Sequence, residues 1–147
     1  MSLDDLYREV IMDHYRMPRN QGSLPDASAC TKLHNPLCGD DIHLELKIEN
    51  GTIADVRFAG RGCSISQASA SLMTQAIKGK TVEEAAELMR QFRSVMQGKL
   101  DANQVELGDL EALFGVAKFP VRVKCAVLPW EALRTLITPD EAPDEEG

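Results

Sequence analysis

Three cysteines and an aspartate give this chain its clearest capacity for chemistry, namely Cys38, Asp40, Cys63 and Cys125. In a reducing compartment, thiols that cluster are metal ligands or catalysts more often than structural disulfides. The chain has no close Cys-x-x-Cys pair, so a shared site must be assembled from distant segments. Three thiolates and a carboxylate match a tetrahedral zinc site. They could equally hold a [2Fe–2S] cluster, whose usual ligands are thiolates.

The residues beside each cysteine favour a functional site. Cys38 and Asp40 lie in one loop shaped by proline and glycine, so a carboxylate can stand beside a thiolate. Cys63 follows Gly-Arg-Gly where a helix is expected to begin, and a helix N-terminus favours a thiolate. Cys125 follows Arg122 and Lys124. We expect these two cations to support the chemistry, and Arg122 lies on the Cys125 face if that turn is helical.

The remaining cysteine and the histidines have simpler interpretations. Cys30 has no such neighbours, and we interpret it as a buried structural cysteine. His14 lies on the apolar face of a predicted helix and is expected to be a hydrogen-bonded core histidine. His43 falls on the polar face of a predicted strand. His34 comes four residues before Cys38 and is the one histidine kept as a reserve ligand.

Bulk properties limit the class of protein. The chain has 147 residues, of which 44% are hydrophobic and 27% charged, as in an ordinary globular protein with one core. A net charge of −7 argues against nucleic acid as a partner, because binding it requires a basic face. No apolar run approaches the roughly 20 residues that span a bilayer, and the first residues are acidic rather than basic, so we predict a cytoplasmic protein without membrane partners. We predict one domain over residues 1–137 and an acidic, disordered tail over 138–147.

Secondary structure begins with a helix over about residues 3–16, whose apolar residues recur at helical spacing. Apolar and polar residues then alternate over 42–48 and again over 54–58, which predicts two strands with one buried face. A further strand over 28–34 is patterned more weakly.

The turn between the two strands poses a problem of register. A two-residue turn at Asn50-Gly51 would pair Leu46 with Asp55 and so place a charge on the buried face. Pairing Leu46 with Val56 keeps that face apolar. We therefore predict a bulged, three-residue loop over 50–52, although Asn-Gly is a strong signal for a two-residue turn.

The second half of the chain has helical patterns. One apolar helical face follows Cys63, and Thr81 with Glu84 forms a capping box that opens a further helix, ended by Gly98. A strand pair followed by several helices predicts an α+β fold, with a small antiparallel sheet of about three strands and helices packed on one face.

The end of the chain is predicted to hold the last two helical segments. A short helix is expected around residues 110–114, and Pro120 fits the first position of the last helix. This last helix carries Cys125. Because Pro129 cannot bond the Cys125 carbonyl, we predict a kink or a restart just after Cys125.

Three motifs of the chain are Asn-Pro-x-Cys-Gly-Asp over 35–40, Gly-Cys-Ser-Ile-Ser-Gln-Ala-Ser-Ala-Ser over 62–71 and Arg-Val-Lys-Cys-Ala over 122–126. They resemble the IscU/NifU-N family of iron–sulfur cluster assembly proteins and look closest to its SufU branch. The resemblance implies a SufE/IscU-like α+β fold. It also implies a set of metal ligands, consisting of Cys38, Asp40, Cys63 and Cys125.

Two features of the chain resemble the SufU branch more than the IscU-type scaffolds. Lys124 stands where IscU-type scaffolds have a histidine, and the interval from Cys63 to Cys125 is longer by about one helix. Members of the SufU branch bind zinc and accept sulfur from a SufS-type cysteine desulfurase. The resemblance therefore implies a zinc-dependent sulfurtransferase in which Cys38 accepts persulfide sulfur, with a downstream cluster scaffold or apo-proteins as recipients.

Two alternatives stay open. The same residues could assemble a transient [2Fe–2S] cluster, with iron as the metal and Cys38, Cys63 and Cys125 as its ligands, and pass it on. The chain could also be a structural zinc protein that acts as an interaction module, in which case metal removal should unfold it.

Overall fold

A computed structural model describes residues 3–35 and 39–141 of the chain. Its regular elements, in chain order, are α1 (Leu3–Arg16), β1 (Ala29–Asn35), β2 (Asp40–Glu49), β3 (Thr52–Arg61), α2 (Ser64–Ile77), α3 (Val82–Met96) and α4 (Pro120–Ile137). Two 3₁₀ segments, Ala102–Gln104 and Gly108–Lys118, connect α3 to α4. The predicted α+β class is confirmed.

The three strands form an antiparallel sheet in the order β1-β2-β3. The weakly patterned strand predicted over 28–34 is therefore present as β1, and it pairs with β2 along its whole length. One face of the sheet is buried beneath helices, because α4 contacts β1 and β2 while α2 contacts β3. Alternate residues of β2, from Asp40 to Leu46, point into this buried face.

The predicted register is confirmed, but the predicted loop is wrong. Leu46 pairs with Val56, as the apolar pattern requires. The turn nevertheless has only two residues, Asn50 and Gly51, with φ values of 55° and 77°. Asn-Gly therefore forms the left-handed two-residue turn that this dipeptide favours.

A bulge within β3 reconciles the short turn with the apolar register. Ile48 pairs with Ile53, whereas Lys47 pairs with Asp55, so Ala54 is left without a partner in the ladder. One extra residue in a strand shifts the pairing by one position. The extra residue that shifts the register lies inside β3 and not in the turn. The sequence pattern gave no separate signal for this bulge.

The helices confirm most of the sequence expectations. Thr81 and Glu84 form the capping box of α3, with both reciprocal hydrogen bonds present. His14 is buried in α1, and its Nδ1 lies 2.7 Å from Ser71 Oγ of α2. This is the hydrogen-bonded core histidine that the sequence predicted.

The last helix departs from prediction at its proline. A restart after Cys125 is wrong, because α4 is one helix from Pro120 to Ile137 with Pro129 inside it; the kink stays a prediction. Packing holds this stretch in place, since Trp130 is fully buried and Ser69 Oγ donates a 2.6 Å hydrogen bond to the Ala126 carbonyl. Tertiary contacts of this kind outweigh one missing helical bond.

Residues 138–141 follow α4 and lie against α3. Glu141 Oε2 accepts a hydrogen bond of 3.0 Å from Arg90 Nε, and the Glu141 carbonyl accepts one of 2.9 Å from Arg134. Most of the acidic tail, residues 142–147, lies outside the described residues. The division into a domain and a tail therefore stays a prediction. Within the part of the chain that the structure describes, no helix has the length and apolar character needed to cross a membrane.

Candidate metal centre

One end of the sheet brings three candidate ligands together. The carboxylate of Asp40 and the sulfurs of Cys63 and Cys125 lie within 4.8 Å of one another. Asp40 is the first residue of β2, Cys63 is the N-cap of α2, and Cys125 lies in the second turn of α4. Asp40 and Cys125 are buried, whereas Cys63 is half-buried.

A hydrogen bond joins the strand to the helix at this point. The backbone N–H of Cys63 donates to Asp40 Oδ1 at 2.9 Å, and the Cys63 sulfur lies 3.9 Å from Asp40 Oδ2. Because Asp41 pairs with Arg61 in the hairpin, the start of β2 lies directly beside the end of β3. The hairpin therefore returns the chain to its starting edge, as predicted.

The first turn of α2 orients the Cys63 side chain. Its sulfur accepts a hydrogen bond from the Ser66 backbone N–H at 3.5 Å, and the Ser66 hydroxyl lies 3.9 Å from the same sulfur. The Ser66 N–H belongs to the first turn of α2, so the Cys63 side chain caps the start of this helix. The sequence expectation that Cys63 begins a helix is confirmed, but the role of Ser66 was missed. A cysteine at the N-cap with serine three residues later was the available signal.

Gly62 fits this site because it has no side chain. A Cβ at this position would lie 2.3 Å from Asp40 Oδ1 and 2.6 Å from Ser66 Oγ. Both distances are far below normal contact, so any larger residue would displace the carboxylate or the hydroxyl. The sequence indicated only that glycines flank Cys63.

Arg122 lies on the exposed side of the cluster. Its guanidinium has a raised pKa, because it hydrogen-bonds to Cys125 and is close to the Cys63 sulfur. The expectation that Arg122 faces Cys125 is therefore confirmed by the helical geometry of α4. Lys124 is half-buried one residue before Cys125, and residues one apart on a helix do not share a face.

The structure contradicts the interpretation of Cys30 and does not support that of His34. Cys30 is exposed rather than buried, because β1 alternates and places it on the outward face of the sheet. His34 Nδ1 lies 2.5 Å from Asp41 Oδ1. Among residues 3–35 and 39–141, the ligand cluster does not include His34, so its role as a reserve ligand finds no support.

Cys38 lies outside the described residues. The residues on either side of its segment are described, and Asn35 pairs with Asp40 where β1 adjoins β2. Asn35, the last described residue before Cys38, therefore lies beside Asp40 of the cluster.

The donor set fits a metal ion. Two thiols and a carboxylate are ligand types that zinc takes, and thiolates are also the usual ligands of iron–sulfur clusters. Asp40 is completely buried beside Cys125, and buried charges are stabilised by pairing or by metal coordination. A bound cation would add to the hydrogen bond that Asp40 already accepts from the Cys63 N–H.

Comparison with known proteins agrees with this geometry. Residues 6–126 match the family model of the NifU-like N-terminal domain. The chain belongs to this family. It is 52% identical over 140 residues to the zinc-dependent sulfurtransferase SufU of Bacillus subtilis, covering 95% of each chain. It is 47% identical over 135 residues to the iron–sulfur cluster assembly scaffold protein IscU of Streptococcus pyogenes, covering 92% of this chain and 84% of that protein.

Solved structures share the fold. A crystal structure of a candidate iron–sulfur cluster assembly scaffold for the SUF system, from Fervidobacterium islandicum AW-1, superposes with a TM-score of 0.84 at 36% identity. It covers 93% of this chain and all of that one. A NifU-like N-terminal domain from Brucella abortus, at 22% identity, has the same fold with a TM-score of 0.82. The family and the fold expected from the three sequence motifs are therefore confirmed for this NifU-like chain.

Proposed function

We propose that this NifU-like protein is a zinc-dependent sulfur acceptor in iron–sulfur cluster biosynthesis, and that it takes persulfide sulfur from a SufS-type cysteine desulfurase. The observation that carries the proposal is the convergence of Asp40, Cys63 and Cys125, with Arg122 against both sulfurs. The 52% identity to a zinc-dependent sulfurtransferase supports the choice of metal and activity. We also propose that the protein acts in the cytoplasm, where thiols stay reduced.

In this proposal Cys38, Asp40, Cys63 and Cys125 hold the metal. Zinc, when bound, keeps thiols deprotonated at neutral pH without taking part in redox chemistry. The buried Asp40 carboxylate binds the Cys63 N–H and so fixes the start of α2 against the start of β2. Arg122 contributes positive charge beside the two sulfurs.

Sulfur transfer itself uses Cys38. Its thiolate attacks the terminal sulfur of the persulfide on the desulfurase, so a new S–S bond forms on Cys38. The S–S bond of the donor breaks, and the donor cysteine leaves as a thiolate. No electrons are gained or lost overall, and Cys38 then carries a persulfide for a cluster scaffold or an apo-protein recipient.

The test measures turnover of a SufS-type desulfurase with the zinc-loaded protein. We expect strong stimulation by the wild type and none by Cys38→Ala, because the acceptor sulfur is gone. Mass spectrometry should find an added sulfur on Cys38 of the wild type. Cys30→Ala is the matched control, since Cys30 is an exposed cysteine outside the cluster, and it should stimulate as the wild type does. Equal stimulation by Cys38→Ala would remove Cys38 from this role.

A scaffold for a transient [2Fe–2S] cluster is the second candidate function. The 47% identity to an IscU scaffold protein favours it, and the ligand types are compatible. Anaerobic reconstitution with iron and sulfide distinguishes the two functions. A stoichiometric cluster that transfers to an apo-ferredoxin, together with no stimulation of the desulfurase, would replace the relay by the scaffold.

A further inference from the structure

Two exposed apolar side chains, those of Phe119 and Val121, lie shortly before Cys125 in the sequence. Phe119 is 61% exposed and Val121 is 79% exposed. Together with Lys118, Pro120 and Arg122 they line a shallow concavity of about 540 Å³. We call these five residues the 118–122 surface.

The backbone of this surface is held in place. The Phe119 N–H donates to the Val116 carbonyl at 2.9 Å, which ends the preceding 3₁₀ segment. The Phe119 carbonyl in turn accepts from the N–H groups of Arg122, at 2.8 Å, and Val123, at 3.2 Å, which begins α4. The two apolar side chains are therefore presented to solvent by a fixed backbone rather than by a loose end.

Neither Phe119 nor Val121 belongs to the hydrophobic core or packs against it. Single exposed apolar residues are common and need no explanation. A pair of large ones, separated by one residue and lining one concavity, is typical of an interaction surface. The neighbouring charges are positive, from Lys118 and Arg122, although the chain as a whole has a net charge of −7.

Arg122 joins this surface to the metal centre. It lines the concavity, and it lies three residues before Cys125 in α4, on the same face of that helix. Sulfur passes between two proteins only when the donor and acceptor sulfurs touch, so a sulfur donor must cover the surroundings of the metal centre. The 118–122 surface is continuous with these surroundings.

We propose that Phe119 and Val121 are the apolar anchors by which the sulfur-donating desulfurase docks beside the metal centre. The inference rests on the proposed function and adds the docking contact to it. The matching face of such a partner would be an apolar pocket flanked by carboxylates, which would meet Lys118 and Arg122. Interface affinity is concentrated in a few buried anchors of this kind.

The experiment uses the full-length, zinc-loaded protein with both anchors replaced, Phe119→Ala and Val121→Ala. We expect its half-saturating concentration in desulfurase turnover to rise at least tenfold, while the maximal rate at saturation stays within twofold of the wild type. Met17→Ala is the matched control, because Met17 is also 63% exposed but does not line the concavity. Its half-saturating concentration should not change.

Zinc stoichiometry and circular dichroism establish that the double variant is folded. An unchanged half-saturating concentration in the folded variant would overturn the proposal. So would sedimentation showing a wild-type dimer that dissociates in the variant with desulfurase affinity unaltered, because a second copy would then occupy the surface. If the wild type fails to stimulate the desulfurase, the proposed function fails. A direct binding titration then still decides the docking proposal, which stands when the double variant binds at least tenfold more weakly and falls when it does not.

Discussion

The two ends of the β2–β3 hairpin are held in different ways. At the turn end, backbone hydrogen bonds of 2.8–2.9 Å hold the hairpin to the residues between α2 and α3 and to the start of α3. The Gly79 N–H donates to the Ile53 carbonyl, the Ile53 N–H donates to the Lys80 carbonyl, and the Val82 N–H donates to the Gly51 carbonyl. At the other end, a buried carboxylate accepts the N–H of Cys63 among two thiols and a guanidinium. Helix α2 runs from the second end toward the first.

The turn end of the hairpin therefore serves the fold, whereas the other end carries the candidate metal ligands. Backbone hydrogen bonds at the turn end do not depend on protonation or on metal. The other end is built from a carboxylate and two thiols, which are side chains that coordinate metal ions. Metal binding should therefore stabilise the site end and leave the turn end unchanged.

Gly62→Ala should disturb the site end most strongly. The added methyl would lie 2.3 Å from Asp40 Oδ1, so the carboxylate or the Ser66 hydroxyl must move. Overpacking of this kind costs about 1–3 kcal/mol, and if the cost falls on the ligand set, zinc affinity should drop roughly 5- to 150-fold. Competition with a chromophoric zinc chelator measures the change.

Gly115→Ala is the control for that variant. A Cβ at Gly115 has no neighbour within 4 Å, so its zinc affinity should match the wild type. Equal affinities for Gly62→Ala and the wild type would mean that Asp40 is free to move without affecting the metal.

Thr81→Ala should weaken the turn end alone. It removes the side-chain acceptor for the Glu84 N–H at the start of α3, a loss that typically costs about 0.5–2 kcal/mol of stability. We expect the urea midpoint of the zinc-free protein to fall and zinc affinity to stay unchanged. A parallel loss of zinc affinity would show that the two ends are coupled through α2.

Lowering the pH should produce the smallest loss of stability, through His14, which is hydrogen-bonded to Ser71 in the middle of α2. Burial lowers the pKa of His14, as does the charge of Arg19, while His14 is bonded to Ser71 of α2. The unfolded chain therefore binds a proton near pH 6.5 more readily than the folded protein does, so stability falls as the pH drops through this value. The loss for one proton is at most about 1.4 kcal/mol per pH unit.

Urea unfolding of the zinc-free protein at pH 7.5 and pH 5.5 measures this loss. His14→Asn keeps a polar group but does not titrate, so its midpoint should change less between the two pH values. If the variant and the wild type lost equal stability, His14 would not be the responsible group.

Local sequence rules located most elements but not the exceptions. The capping box at Thr81 and the first helical position of Pro120 were predictable because they involve residues within one turn. The bulge at Ala54 was not, since two incompatible local demands, a two-residue turn and an apolar register, were resolved by pairing along the whole hairpin. Cys30 was assigned to the interior because thiols are usually buried, whereas its strand position turns it outward.

The amino-acid sequence alone determined the kinds of ligand and their local settings: an aspartate where a strand begins, a cysteine at a helix start, and a cysteine with an arginine three residues before it. These follow from short-range backbone preferences. Only the tertiary structure decided that Asp40, Cys63 and Cys125 meet within 4.8 Å and that Gly62 must lack a side chain there. Segments so distant in the chain come together through packing of α2 and α4 on the sheet, which no local pattern of residues contains.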